Sequence, residues 1–295
     1  MADIRQRRRR RVIEPRERRI ALPHLTLAAQ VWGDDALPPL LALHGWLDNA
    51  GTYALLAPLL ATRFQVIALD LPGHGHADHM AAGAQYHYVD YVRTVLAAAD
   101  ALGLDRYSLL GHSLGAGIAS LVAAAAPSRI ERLWLVEGLG PLGDDGTRTL
   151  QRFREALAQE QPRKPLRLFR SIDQAVDARQ IASGLRGDLA RPIVTRSLAE
   201  VDGGWRWRSD PRLTRSSATR LAESQVHALL QGIASPTTLL LAQPSTSYLP
   251  TALMQARIDS VDGIVVSHMD GGHHLHLEHP AAVATWIKAE NGPAR

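Results

Sequence analysis

The chain contains no cysteine. Disulfides, a thiol nucleophile and zinc–thiolate sites are therefore excluded. The absence is compatible with a reducing compartment, and a cytoplasmic location is the expectation. No apolar run approaches the roughly 18 residues of a membrane span. The amino-terminal arginines are not followed by an apolar stretch, so no secretory signal is expected. No internal repeat is present, and low complexity is confined to an arginine run and an alanine-rich segment. Residues 145–233 also lack any continuous apolar run of the kind a buried strand shows.

What is present is enough for one large core. The 295 residues are 46% hydrophobic, which suits an α/β domain with an insertion. The net charge of +4 misrepresents that core. Residues 1–19 hold nine arginines (Arg5, Arg7 to Arg11, Arg16, Arg18 and Arg19) against Asp3, Glu14 and Glu17. The remaining 24 basic side chains face 26 acidic ones. Residues 1–19 thus read as a self-repelling, disordered basic tail. The block has no interleaved aromatics and the domain behind it has no basic excess, so specific nucleic-acid binding is not expected.

Along the chain, Ile20 to Trp32 alternates loosely and reads as one or two antiparallel strands. Leu40 to Leu43, Phe64 to Leu69, Arg106 to Leu110 and Leu133 to Val136 are short apolar runs, the pattern of strands buried on both faces. Helical segments separate them, around Tyr53 to Ala61, Tyr86 to Leu102 and Ala116 to Ala126. The strand pattern returns at Thr237 to Ala242 and Gly263 to Ser267, and a last helix opens at Pro280. Strand–helix alternation predicts a mostly parallel twisted sheet covered by helices on both faces. The expected core is 20–140 with 235–295, and 141–234 reads as an inserted helical cap.

The sharpest local signal is Gly111-His112-Ser113-Leu114-Gly115. Strand, G-x-S-x-G, helix is the context of a nucleophile elbow, with the serine raised on a tight turn. Sheets of this kind bind ligands at the carboxyl ends of their strands. The residues there are His44-Gly45-Trp46, Asp70, Ser113, Glu137, and the loops after Ala242 and Ser267. The last loop runs into Gly271-Gly272-His273-His274-Leu275-His276-Leu277-Glu278. A serine needs a base to take its proton, and the base needs an acid to orient it.

Four segments together, His44 to Asn49, Asp70 to Gly75, the elbow and Gly271 to Glu278, resemble the α/β-hydrolase fold superfamily, and within it the serine hydrolase-like proteins. The resemblance covers roughly 20–140 and 235–290. It implies Ser113 as nucleophile, and His273 as base by its spacing from Glu278, with His274 as the alternative. It implies the backbone N–H groups of Trp46 and Leu114 as the oxyanion hole. Many relatives carry an aspartate after the strand that follows the cap. Here that loop, Gln243 to Tyr248, has no carboxylate, and Asp259 lies far along. Glu137 is the expected acid, as in some members of the superfamily. Asp70 and Asp270 read as structural. Trp46, His112, Trp205 and Trp207 are the candidate substrate-binding residues, with Trp205 and Trp207 alternatively sealing the cap onto the core.

The implied activity is hydrolysis of a small or medium apolar ester through an acyl-enzyme, with no metal or organic cofactor. The same triad serves carbon–carbon, lactone and amide hydrolysis. A binding protein that keeps the fold without turnover is the remaining alternative. One fold hosts many chemistries, so neither the substrate nor the oligomeric state is readable from the motifs.

Overall fold

A computed structural model of the chain describes residues 14–158, 167–246 and 248–289. Its strands are β1 (Arg16–Ala21), β2 (Thr26–Trp32), β3 (Pro39–Leu43), β4 (Gln65–Asp70), β5 (Tyr107–His112), β6 (Ile130–Val136), β7 (Leu198–Val201), β8 (Gly204–Trp207), β9 (Thr237–Gln243) and β10 (Val265–Asp270). Its helices are α1 (Ala57–Leu60), α2 (Tyr88–Ala101), α3 (Leu114–Ala125), α4 (Thr149–Ala158), α5 (Ile172–Ser183), α6 (Gly187–Ser197), α7 (Glu223–Leu230), α8 (Thr251–Ile258), α9 (Leu275–Glu278) and α10 (Pro280–Ala289).

Eight strands form one sheet in the order β1-β2-β4-β3-β5-β6-β9-β10. β1, β2 and β4 pair antiparallel, and β4 through β10 pair parallel. The central strands β4 and β5 are buried at every residue, as their unbroken runs require once helices cover both faces. On one face Val95 and Ala98 of α2 pack with Ile118 and Val122 of α3. On the other, Leu60 of α1 packs with Val283 and Ile287 of α10, over Trp134.

The structure moves the expected tail boundary. β1 begins at Arg16, so Arg16, Arg18 and Arg19 belong to the sheet rather than to a tail. Only Ile20 of β1 is buried, and an outer strand solvates its charged side chains instead of excluding them. Arg16 pairs with Asp35, and Arg19 donates to the His76 carbonyl. The arginine block Arg5 to Arg11 lies outside the described residues.

The segment between β6 and β9 carries α4 to α7, and also the β7–β8 hairpin, a strand pair that the expected helical cap did not include. Gly203 in the hairpin turn and Gly204 at the start of β8 both have positive φ. A Cβ on Gly204 would meet the Phe169 carbonyl oxygen at 2.2 Å. The segment has its own apolar cluster, with Phe169, Val176, Ile193 and Leu198 packed on Leu277 of α9.

Polar bonds tie this cap to the strand ends. The Asn49 amide donates to the Ile193 carbonyl and the Ser197 hydroxyl. Arg196, on α6, reaches Asp70 at 2.9 Å and Glu17 at 2.7 Å. Asp70 is fully buried, and it also accepts from the Ala50 and His76 amides. Removing the cation from such a pair strands a buried charge, which typically costs about 3–5 kcal/mol. Arg196→Met is therefore expected to destabilise the protein by about 3 kcal/mol in urea unfolding. Asp70→Asn added to it should recover part of that loss, and an Arg196→Met midpoint equal to wild type would contradict the assignment.

Candidate active site

Ser113 follows β5 directly, and its amide still continues the ladder, donating to the Val136 carbonyl at 3.0 Å. The chain then turns sharply, with Ser113 at φ 51° and ψ −112°, and α3 starts at Leu114. Both flanking glycines are required by contact. A Cβ on Gly115 would meet the Leu43 carbonyl oxygen at 2.0 Å, and one on Gly111 would meet the Gly115 carbonyl oxygen at 2.5 Å. The close approach lets α3 begin hard against the end of β3. Leu114 is the first residue of α3, where an amide has no partner within its helix.

Among the described residues three non-glycines have positive φ: Leu47, Ser113 and Glu137. Each follows a parallel strand, β3, β5 and β6. Strained backbone of this kind persists where the surroundings over-determine it, and it clusters at functional sites.

Glu137 is 1% exposed, and its amide extends the ladder to the Leu240 carbonyl at 2.9 Å. Its Oε2 lies 3.2 Å from Nδ1 of His273 and accepts from the Thr246 hydroxyl. Its Oε1 accepts from the Ala242 amide. Burial acts to raise the pKa of this carboxyl. The bonds from His273, Thr246 and the Ala242 amide outweigh it, and the pKa lies below the ordinary value.

His273 is placed by the loop that precedes α9. The Gly272 amide donates to Glu278 Oε2 at 2.7 Å, and the Gly271 amide donates to the Gln243 carbonyl at 3.2 Å. A Cβ on Gly272 would meet Glu278 Oε1 at 2.6 Å, so a larger residue there would displace the carboxylate that holds the loop. His273 keeps 30% of its side chain exposed. His274 points elsewhere: it is buried, with Nε2 3.5 Å from Asp48 Oδ2. The two adjacent histidines thus form two separate acid–imidazole pairs.

Asp48 is the centre of the second. Arg179, from α5, bonds both Asp48 and the Leu47 carbonyl. Burial favours the neutral acid, but His274 and Arg179 hold the Asp48 pKa well below the usual carboxylate range. Nδ1 of His112 lies 3.9 Å from the same carboxylate. Asp48, His112 and His274 bring ligand atoms within 4.8 Å of one another, a set that can hold a metal ion. The Arg179 guanidinium on that carboxylate opposes a second cation there. His112 donates from Nε2 to the His273 carbonyl at 2.8 Å, so the elbow strand also braces the histidine loop.

A cavity of about 920 Å³ opens beside the elbow, with Trp46, Ser113 and Leu114 in its lining. The Trp46 indole donates to the Leu213 carbonyl at 3.0 Å, joining the loop after β3 to the cap. The other candidate substrate-binding residues are placed differently. His112 is buried behind the elbow and does not line this cavity. Trp205 and Trp207 do not line it either. They pack into the cap cluster, with Trp207 edge-on to Phe169 at 5.1 Å between ring centres. Residue spacing placed them on one face but could not say which surface that face meets. Asp259 ends α8, where it accepts from Gln255, and Asp270 is exposed. The motifs did not single out Thr246 or Arg179. A hydroxyl in the loop where a carboxylate was sought was the only trace of Thr246.

The matching family model, described as alpha/beta hydrolase fold, spans residues 38–280. The chain belongs to the α/β-hydrolase fold family. It is 31% identical over 274 residues to a serine hydrolase-like protein of Dictyostelium discoideum, covering 88% of this chain and 76% of that one. A serine hydrolase-like protein of Danio rerio is 30% identical over 286 residues, covering 92% and 86%. A hypothetical protein of Pseudomonas aeruginosa has the same fold at a TM-score of 0.86 and 40% identity, covering 94% of this chain and 99% of that one. No helix among the described residues of this α/β-hydrolase is long and apolar enough to cross a membrane.

Burial also sets how this protein responds to acid. It lowers the pKa of His44 to about 4 and of His74 and His276 to about 3, and it lowers that of His112 well below its ordinary value. These four are neutral when folded, while their unfolded pKa is about 6.5. The unfolded chain therefore binds more protons below that pH. The stability is fully present above pH ~6.5 and is lost as pH falls toward the folded values. Below pH ~6.5 unfolding should take up protons at these positions, and each proton taken up steepens the loss by about 1.4 kcal/mol per pH unit. Urea midpoints measured from pH 7 to pH 5 are expected to fall steeply, and a flat profile would sink this reading.

Proposed function

We propose that the protein is a serine hydrolase that cleaves an apolar acyl ester through an acyl-enzyme on Ser113. The observation that carries the reading is the contact between Glu137 and Nδ1 of His273 at 3.2 Å, made at the strand end beside the elbow. With Nδ1–H directed at Glu137, the other ring nitrogen, Nε2, keeps its lone pair and is the proton acceptor. His273 Nε2 takes the Ser113 hydroxyl proton as Oγ attacks the ester carbonyl. Glu137 fixes that tautomer and stabilises the imidazolium as it forms. The Trp46 and Leu114 amides receive the tetrahedral oxyanion, a contribution worth on the order of 3 kcal/mol per donor. Collapse expels the alcohol, which takes the proton from His273. Water then loses a proton to the same nitrogen, attacks the acyl group and releases the acid.

Other acyl-transfer substrates, lactones and amides, fit the same groups, and the ester is favoured by the apolar lining around Leu121, Val92 and Leu229. A fold kept without turnover was suggested by the missing carboxylate after β9. Glu137, reached by the Thr246 hydroxyl of that very loop, supplies a carboxylate in its stead.

A fluorophosphonate probe is expected to label the wild-type protein and not Ser113→Ala. Folded wild-type protein that takes no label would remove the nucleophile assignment. In hydrolysis of p-nitrophenyl esters, Glu137→Gln should lower kcat about 10²–10⁴-fold with KM nearly unchanged. His273→Ala should be as damaging as Ser113→Ala, and His274→Ala much less so. A Glu137→Gln enzyme with wild-type kcat would exclude Glu137 as the acid.

A further inference from the structure

The cavity beside Ser113 has two unlike walls. One follows α3 from Ser113 through Leu121 to Ala125, with Val92 of α2 and Leu229 of α7 beside it. At 1.5 Å per residue that stretch of helix is about 18 Å long, an apolar trough suited to an extended acyl chain. The other wall comes from the cap between Leu213 and Leu221. It presents Arg215, Ser216, Ser217, Thr219 and Arg220.

No aspartate or glutamate lines this cavity among the described residues. Arg215 is half-buried, and its Nε is shielded from solvent with no hydrogen-bond partner. Arg220 is exposed, makes no ion pair among the described residues, and also borders a neighbouring pocket that holds Asp144, Asp145, Glu155 and Glu223. The charges around it include Arg148 and Arg152 as well as Asp144, and the Asp144 carboxylate is already taken by Arg152. A buried donor without an acceptor costs about 1–3 kcal/mol, more when charged. Guanidinium groups present planar donor forks suited to carboxylate and phosphate oxygens. Hydrolysis of a neutral ester uses neither arginine.

We propose that the substrate of this site carries an anionic group, a carboxylate or a phosphate, on the same molecule as its apolar acyl chain, and that Arg215 and Arg220 bind that anion. The proposal rests on the acyl-transfer reading of Ser113 and names the substrate class for it. The anion comes either from the far end of the acyl chain or from the leaving group. Arg215 and Arg220 both line the cavity that holds Ser113, so an anion on the substrate would meet their guanidinium groups. The arginines act on binding and selection, so their effect belongs in KM.

Three octanoyl-length substrates separate the sources: p-nitrophenyl octanoate, the p-nitrophenyl monoester of suberic acid, and octanoyl-coenzyme A. The wild-type enzyme is expected to favour one of the two anionic compounds by at least about tenfold in kcat/KM. Arg215→Gln should cut that preference about tenfold, mainly through KM, and Arg215→Lys should restore part of it. Preference for the suberate monoester places the anion on the acyl chain, and preference for the thioester places it on the leaving group. Equal kcat/KM for all three, or a preference unchanged in both Arg215→Gln and Arg220→Gln, overturns the proposal and leaves the hydrolase reading intact.

A protein that turns over none of them and takes no fluorophosphonate label overturns the hydrolase reading instead. Calorimetry on Ser113→Ala then decides the anion site alone. Monomethyl suberate or coenzyme A should bind more tightly than dimethyl suberate, with the difference lost in Ser113→Ala/Arg215→Gln. Equal binding of the three ligands rejects the anion site.

Discussion

A carboxylate buried at the end of a parallel strand has to be compensated by groups that arrive from elsewhere in the chain. Three such carboxylates, Asp48, Asp70 and Glu137, organise this protein. Each lies at or just beyond the end of a core strand, where the sheet stops supplying backbone partners. Glu137 is answered by Thr246, the Ala242 amide and His273. Asp70 is answered by two amides and Arg196, and Asp48 by Arg179 and His274. An ion left unpaired in such a place costs several kcal/mol, so these contacts constrain how the loops and the cap sit.

The arrangement couples the cap to the candidate catalytic groups. Arg179 and Arg196 belong to cap helices α5 and α6, and their partners flank the loops from which Trp46 and His74 project. Trp46 itself reaches back to Leu213 in the cap. Asp48 lies under His274, the neighbour of His273, while His112 joins the elbow strand to the His273 carbonyl. A shift of the cap would therefore be felt at the histidine loop. The same cap supplies the wall of the cavity that carries Arg215 and Arg220.

Much of this was readable before any coordinates. β4 and β5 are continuous apolar runs because both their faces are covered, and Ser113 stands out because Gly111 and Gly115 admit no Cβ. Glu137 was recognisable by its place after β6. β1 was not, because an outer strand with only Ile20 buried has almost no hydrophobic pattern to show. Trp205 and Trp207 were assigned to one face by their spacing, but spacing carries no information about what that face touches. Thr246 was hidden for a similar reason: a hydroxyl in a loop becomes informative only when its partner, 109 positions earlier in the chain, is known.

The buried strands and the elbow serine follow from local chemistry, unbroken apolar runs and glycines at close contacts, while the histidine loop was legible through its resemblance to the family. Those are short-range requirements, and a linear chain records them. Which histidine meets which carboxylate is a different kind of fact. His273 and His274 are neighbours, and folding sends one to Glu137 and the other to Asp48. That choice depends on how β6, β10 and the loop after β3 converge, and only packing in three dimensions brings them together. The same holds for Arg215 and Arg220, two ordinary basic residues in the chain that become notable once the fold sets them in the lining of the cavity beside Ser113.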